Sequence, residues 1–225
     1  MDGFQEKFLD IVNLNDITMI DIKDRFFDSI ILDIKNSYDW QQHVKKSKWN
    51  KQKWKGLTLM KDPMTLSTIQ CIINDLKPKT IIEFGTYDGG SALWMHDILK
   101  NFQDDFTIHT FDIVDHNTDL PKRINFHLFD NYQIDSFNVD LLKNMIHPVL
   151  FIEDSHKNFI ELLNLIDPFI TEEDFLIVED TIVKSKHDKM VEWLKDKNYK
   201  VNDYYCDMWG YNGSWNFNGY LQKMG

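Results

Sequence analysis

Five short apolar runs between residues 80 and 180 each carry a carboxylate at or near their C-terminal end. They are TIIEF (80–84), with Glu83, then FTIHTFD (106–112), INFHLFD (124–130), PVLFIED (148–154) and DFLIVED (174–180). Their length and their β-branched and aromatic content mark strands. Stretches of helical spacing lie between or after them: Ser91 to Phe102, His156 to Ile166 and His187 to Lys197. Strands alternating with helices predict a mostly parallel sheet with helices on both faces. In such an open sheet a ligand sits beyond the carboxyl ends of the strands, where strand order reverses. Glu83, Asp112, Asp130, Glu153, Asp154, Glu179 and Asp180 all fall at those ends. A helix cap accounts for a single acid after a strand. It does not account for Glu153-Asp154 and Glu179-Asp180 as pairs.

The first of these strands runs into a glycine loop, TIIEFGTYDGGSALWM. Gly85, Gly89 and Gly90 permit positive φ and close approach of a ligand to the backbone. The helix opening at Ser91 offers free N–H groups. A nucleotide-like ligand is held in this way. From Gly85 the chain reads G-T-Y-D-G-G rather than G-x-G-x-x-G, so the tight turn that cradles a dinucleotide pyrophosphate is missing. Asp112 follows Gly90 by 22 residues, the interval at which an acceptor-only carboxylate meets a ribose hydroxyl pair.

Residues 4–14 and 22–36 have helical spacing, the second through Ile22, Phe26, Phe27, Ile30, Ile31 and Ile34. Residues 37–57 read as a loop or broken helix, and Asp62-Pro63 opens a helix that runs to about Leu76. Residues 199–209 and 215–224 read as two strands joined across Gly210 to Gly213, which predicts an antiparallel strand at one sheet edge. The expected architecture is a doubly wound, mostly parallel α/β sheet with that edge strand. A helical extension over residues 1–60, serving as lid or subunit contact, precedes a ligand-binding unit over 61–225. The tail aromatics Tyr204, Tyr205, Trp209, Tyr211, Trp215, Phe217 and Tyr220 suit edge packing or the wall of an acceptor pocket.

A net charge of −11 over 225 residues speaks against nucleic acid or an anionic membrane as the main partner. The lysines between 45 and 55, with Trp49 and Trp54 among them, read as a solvated basic face. Cys71 and Cys206 make neither a disulfide scaffold nor a zinc site. The opening MDGFQEKF lacks a leader pattern, and no apolar run reaches the roughly 20 residues that cross a bilayer. The expected location is the cytoplasm.

Glu83-x-Gly85 with Gly89-Gly90-Ser91 resembles motif I of class I S-adenosylmethionine methyltransferases. Three longer blocks, WKGLTLMKDPMTLSTIQCIINDLKPKTIIEFGTYDGGSALWM (54–95), VLFIEDSHKNFIELLNLIDPFI (149–170) and FLIVEDT (175–181), are similar to the cephalosporin hydroxylase-like family and the related macrolide-sugar O-methyltransferases. The tail NFNGYLQK is similar as well. The resemblance implies a Rossmann-like fold and S-adenosylmethionine as cofactor, met by Glu83, Gly85, Thr86, Tyr87, Gly90, Ser91, Asp112, Asp130 and Asn131. It also implies a divalent metal, commonly magnesium, on three acids after the fourth and fifth strands, with a histidine near the acceptor. The usual family text is D-S-D-H, whereas this chain reads Glu153-Asp154-Ser155-His156. Alignment on His156 makes Glu153 the first ligand, beside Glu179 and Asp180. Alignment on the Asp-Ser pair makes it Asp154 instead. The spacing from Glu153 to Glu179 favours the first alignment, with Asp154 and His156 left as the catalytic pair.

Hard oxygen ligands suit magnesium or calcium. A bound cation lowers the pKa of an acceptor hydroxyl and orients it. An imidazole, which changes charge near neutral pH, suits the released proton. In-line methyl transfer gains much of its rate from positioning. The implied function is methyl transfer to a hydroxyl of a small-molecule acceptor, a sugar or secondary metabolite, and a homo-oligomer is compatible with it. Three other readings stay open: a cyclisation or elimination on the same cofactor, a helper subunit of an oxygenase, and a binding module without turnover.

Overall fold

The computed structural model describes residues 18–29, 48, 51–116 and 118–225. The strands are β1 (Met19–Ile20), β2 (Lys53–Trp54), β3 (Leu57–Thr58), β4 (Thr80–Phe84), β5 (Thr107–Asp112), β6 (Ile124–Leu128), β7 (Val149–Glu153), β8 (Phe175–Val178), β9 (Tyr199–Asn202) and β10 (Tyr220–Lys223). The α-helices are α1 (Pro63–Leu76), α2 (Gly90–Leu99), α3 (Val139–Lys143), α4 (Phe159–Ile166), α5 (Lys184–Leu194) and α6 (Asp203–Cys206). One sheet has the order β1-β9-β10-β8-β7-β4-β5-β6. Strands β4 to β8 pair in parallel. The doubly wound parallel core is therefore as the residue pattern predicts, and β10 enters antiparallel between β8 and β9.

Strands β4, β7 and β8 are buried along their whole length. That is why they read as continuous apolar runs rather than alternating ones. The chain steps from β4 to β5 and β6 on one side, then returns to β7 on the other. Strand order thus reverses at the β4–β7 pair. Gly85 lies at this point with φ of 111°, and a Cβ there would stand 2.6 Å from the Asp154 carbonyl oxygen. The loops after β4 and β7 can approach each other only because residue 85 lacks a side chain.

Two expectations need correction. Residues 22–29 do not form a helix: a 3₁₀ turn over Ile22–Asp24 is followed by irregular chain, and β1 just before it pairs with β9. Tertiary contacts decide this. Ile22 enters the core, and the buried Arg25 guanidinium donates to Asp207 at 2.7 Å through both Nη1 and Nη2 and to Asn218 at 2.8 Å. The helices read over 4–14 and 30–36 lie outside the described residues. In the tail, the strand from 199 stops at Asn202, whose side chain accepts from the Tyr205 N–H and starts α6. The second tail strand begins only at Tyr220, after a loop held by Asn212, Ser214, Asn216 and Asn218. No helix among the described residues is long and apolar enough to cross a membrane.

The lysine- and tryptophan-rich segment is partly absorbed into packing. The β2–β3 hairpin lies over the start of α2, where a Cβ on Gly90 would stand 2.0 Å from the Thr58 carbonyl oxygen. Trp54 Nε1 donates to Asp97 at 2.7 Å, and Lys55 pairs with the same carboxylate.

Candidate active site

A cavity of about 470 Å³ opens above the β4–β7 switch point. Its size suits a cofactor together with a small acceptor. One end is walled by Gly85, Tyr87, Phe111, Asp112, Ile113 and Phe129, with Asp130, Asn131 and Tyr132 beside them. The other end is walled by Met60, Lys61, Asp62, Asp154, His156, Glu179, Asp180 and Trp215. Ser155 and Lys157 complete the lining.

At the first end the acids are pre-oriented. Asp112 accepts from the Tyr87 N–H at 2.8 Å and the Val114 N–H at 3.2 Å. These bonds fix the carboxylate and leave lone pairs for a ligand hydroxyl pair. Asp130 accepts from the Tyr132 N–H at 2.9 Å. Asn131 donates to Ser155 Oγ at 2.6 Å and accepts at its carbonyl from Asn158 at 2.6 Å, tying the loop after β6 to the loop after β7.

Other residues read as cofactor contacts stand beneath the cavity rather than in its wall. Glu83 is fully buried, accepting from Ser91 Oγ at 2.5 Å and Thr110 Oγ1 at 2.8 Å. Burial raises its pKa, against Lys61 and the two hydroxyl donors, which lower it. Thr86 shares a 2.6 Å hydrogen bond with Thr110. Glu83, Thr86 and Ser91 thus brace the glycine loop from below, and Gly90 makes room for the hairpin.

The two acid pairs divide in a way that the run of letters does not show. Glu153 ends β7, and its side chain projects away from the cavity, as the two-residue alternation of a strand requires for neighbours. It is fully buried, accepts from Ser155 at 3.0 and 2.7 Å, and forms an ion pair with Lys186 of α5 at 2.6 Å. The reading of Glu153 as first metal ligand finds no support in this placement. Asp154 projects into the cavity instead. Its Oδ1 lies 3.5 Å from His156 Nε2, which lies 3.5 Å from Asp180 Oδ2 as well. Asp154, His156 and Asp180 each offer one ligand atom, all within 4.8 Å of one another.

Glu179 reaches the cavity but is engaged. Lys61, its side chain 1% exposed, donates to Glu179 at 2.7 Å and to Asp154 at 2.9 Å. Burial disfavours the ammonium, yet Asp154, Glu179 and Glu83 outweigh it and hold its pKa well above the ordinary lysine value. Burial raises Glu179 and Asp180 in turn, and repulsion from Asp154 adds to the rise. No sequence signal pointed to Lys61, because a lysine before a helix cap reads as solvent-facing.

The tail sets this end of the site. Asn216 Oδ1 accepts from the Asp180 N–H at 2.9 Å, and Thr181 Oγ1 donates to the Phe217 carbonyl at 2.8 Å. Among the tail aromatics, Trp215 lines the cavity, whereas Tyr205, Phe217 and Tyr220 are core. Tyr87 (φ 51°), His156 (61°) and Asp180 (54°), all in the cavity wall, have left-handed backbone without being glycine. Such strain persists only where the surroundings over-determine it, and it is typical of functional sites.

A family profile described as rhamnosyl O-methyltransferase/CmcI matches residues 46–211. The rhamnosyl O-methyltransferase of Mycobacterium leprae (strain TN) is 28% identical over 141 residues, covering 59% of this chain and 62% of that protein. The chain thus spans about three fifths of the length of this curated relative. A solved CmcI apo-structure is 21% identical with a TM-score of 0.67, over 93% of this chain and 90% of that one. A CmcI structure with Mg and SAM is 23% identical with a TM-score of 0.64, over 80% and 79%. At these identities the structural likeness is one of fold.

Proposed function

Since the chain belongs to the rhamnosyl O-methyltransferase/CmcI family, we propose that it transfers the methyl group of S-adenosylmethionine to a hydroxyl of a small molecule, a sugar or a sugar-bearing metabolite. The observation that carries this reading is the single cavity at the switch point. It joins a nucleoside-like end, with Gly85, Asp112 and Asn131, to an acid and imidazole end, with Asp154, His156 and Asp180.

At the first end, Asp112 accepts from the ribose hydroxyls, and Asp130 with Asn131 faces the base. Phe111, Ile113 and Phe129 supply apolar walls for the base. When bound, S-adenosylmethionine supplies the methyl group, its S–CH₃ bond breaking as the acceptor oxygen forms the new O–CH₃ bond. His156 Nε2, 3.5 Å from both Asp154 Oδ1 and Asp180 Oδ2, takes the acceptor's hydroxyl proton. Trp215 offers a flat apolar surface against which an acceptor ring can lie.

The donor set fits a divalent cation. Two carboxylates converge beside a water-accessible cavity, and magnesium commonly uses one or two carboxylates while keeping several waters. Asp154 and Asp180 would hold it, and it would supply Lewis-acid polarisation of the acceptor oxygen.

The test combines calorimetry with S-adenosylhomocysteine and a labelled-methyl transfer assay on rhamnosyl glycosides. The wild-type chain binds S-adenosylhomocysteine and methylates at least one acceptor, and Asp112→Ala weakens binding. His156→Ala keeps cofactor affinity within about twofold while kcat falls by about 10²–10⁴-fold, the usual range for a general base. A chain that does not bind S-adenosylhomocysteine, or an undiminished His156→Ala rate, overturns the reading.

A further inference from the structure

The two acid pairs at the ends of β7 and β8 are treated alike by the fold. In each, the glutamate is met by a buried lysine: Glu153 by Lys186 at 2.6 Å and Glu179 by Lys61 at 2.7 Å. In each, the aspartate is aimed at His156. The lysines differ in one respect. Lys186 comes from α5 and serves Glu153 behind the sheet edge. Lys61 comes from the residue before the α1 cap and lines the cavity itself, bridging Glu179 to Asp154.

We propose that Lys61 is the built-in cation of this acid cluster, withholding Glu179 from a divalent metal and lowering the site's affinity for one. The proposal rests on the metal-assisted reading above. Asp154, Glu179 and Asp180 bring three carboxylates to one end of the cavity, and the Lys61 ammonium already engages two of them, at 2.9 Å and 2.7 Å. Without Lys61, a third carboxylate becomes free to coordinate, and a positive charge adjacent to the metal position is lost. Both changes favour the metal, because like charges a few ångströms apart in a poorly solvated site repel strongly. Lys61 therefore does two jobs. It keeps the three carboxylates together when no metal is bound, and it limits how tightly a metal is then held.

The experiment titrates Mn²⁺ into the wild-type chain and into Lys61→Gln, Lys61→Met and Lys61→Arg, by calorimetry and by thermal melting. Calorimetry with S-adenosylhomocysteine runs alongside. In Lys61→Gln and Lys61→Met, Mn²⁺ binds at least about tenfold more tightly than in the wild type, as expected for losing one adjacent positive charge. Added Mn²⁺ also raises their melting temperature by more than the wild type's. Lys61→Arg, which keeps the charge, stays near the wild-type affinity. If a neutral variant unfolds without metal, circular dichroism follows recovery of structure on adding Mn²⁺, and recovery supports the proposal. Unchanged or weaker Mn²⁺ affinity in neutral variants that bind S-adenosylhomocysteine normally overturns it, as does the absence of metal-driven recovery. Failure of the wild-type chain to bind S-adenosylhomocysteine would instead sink the methyltransfer reading, and the metal titrations tell the two failures apart.

Discussion

Gly85 shows what one residue controls here. It ends the first parallel strand with φ of 111°, and its missing Cβ is what lets the Asp154 carbonyl approach. Gly85→Ala therefore meets backbone strain of about 1–3 kcal/mol in addition to a contact with main-chain atoms that cannot swing away. The expected outcome is a lower melting temperature, by about 2–4 °C per kcal/mol for a chain of this size, together with weaker S-adenosylhomocysteine binding, because the loops after β4 and β7 separate. A melting curve unchanged from wild type would count against this account of the switch point. At the same scale, letters in a row concealed a division. Glu153 and Asp154 are neighbours in sequence, but one pairs with Lys186 behind the sheet and the other faces His156. The strand's alternation decides which is which, and it needs the position of the last paired residue, which sequence places only to within a residue or two.

At the scale of the element, α1 matters beyond the core residues Ile69, Ile72 and Ile73 that it buries. Asp62 caps it, accepting from the N–H groups of Met64 and Thr65 at 3.0 Å each and from the Thr65 hydroxyl. That cap fixes the direction in which the preceding Lys61 enters the cavity. Asp62→Ala is expected to cost about 1 kcal/mol, up to about 2, the range for losing an acidic N-cap. Asp62→Asn should retain most of it. Urea denaturation midpoints check both. The elements legible in the sequence were those with strong local signals: the five parallel strands, the capped helix with its early proline, and the helices after the glycine loop and the acid pairs. The illegible ones were set by distant partners. Residues 22–29 have helical spacing but are held by Arg25 to Asp207 and Asn218, across more than 180 positions of chain. The loop from 207 to 219 is held by asparagines whose partners lie on Asp207, Ser214, Tyr220 and the 26–28 segment as well as on one another, a pattern with no period to read.

Across the whole molecule, pH acts on half-buried histidines and on the cavity acids in opposite senses. His109 on β5 lies 2.9 Å from His127 on β6, and burial followed by the neighbouring imidazole lowers its pKa from 6.5 to about 4. The unfolded chain therefore takes up that proton first as pH falls. The stabilisation is fully present above 6.5 and is lost as pH falls toward 4. Glu179 and Asp180, whose pKa values are raised, favour folding toward acid and oppose it. The difference between wild type and His109→Phe isolates the histidine. The melting-temperature gap between the two should shift in favour of the variant as pH falls from 6.5 toward 4, and a constant gap would refute the assignment. The sequence by itself determined the alternation of strand and helix, the parallel core and the acids at the strand ends, because local periodicity and strand-end chemistry are written in consecutive residues. It also placed Gly85, Asp112, Asp154 and His156 on one sheet edge. Only the tertiary structure decided which acids face the cavity, that Glu83 and Ser91 brace the glycine loop from beneath, and that Lys61 and Trp215 join the site. Those outcomes depend on side-chain direction and on charge pairing between segments far apart in the chain, and burial makes such pairing strong enough to choose one arrangement.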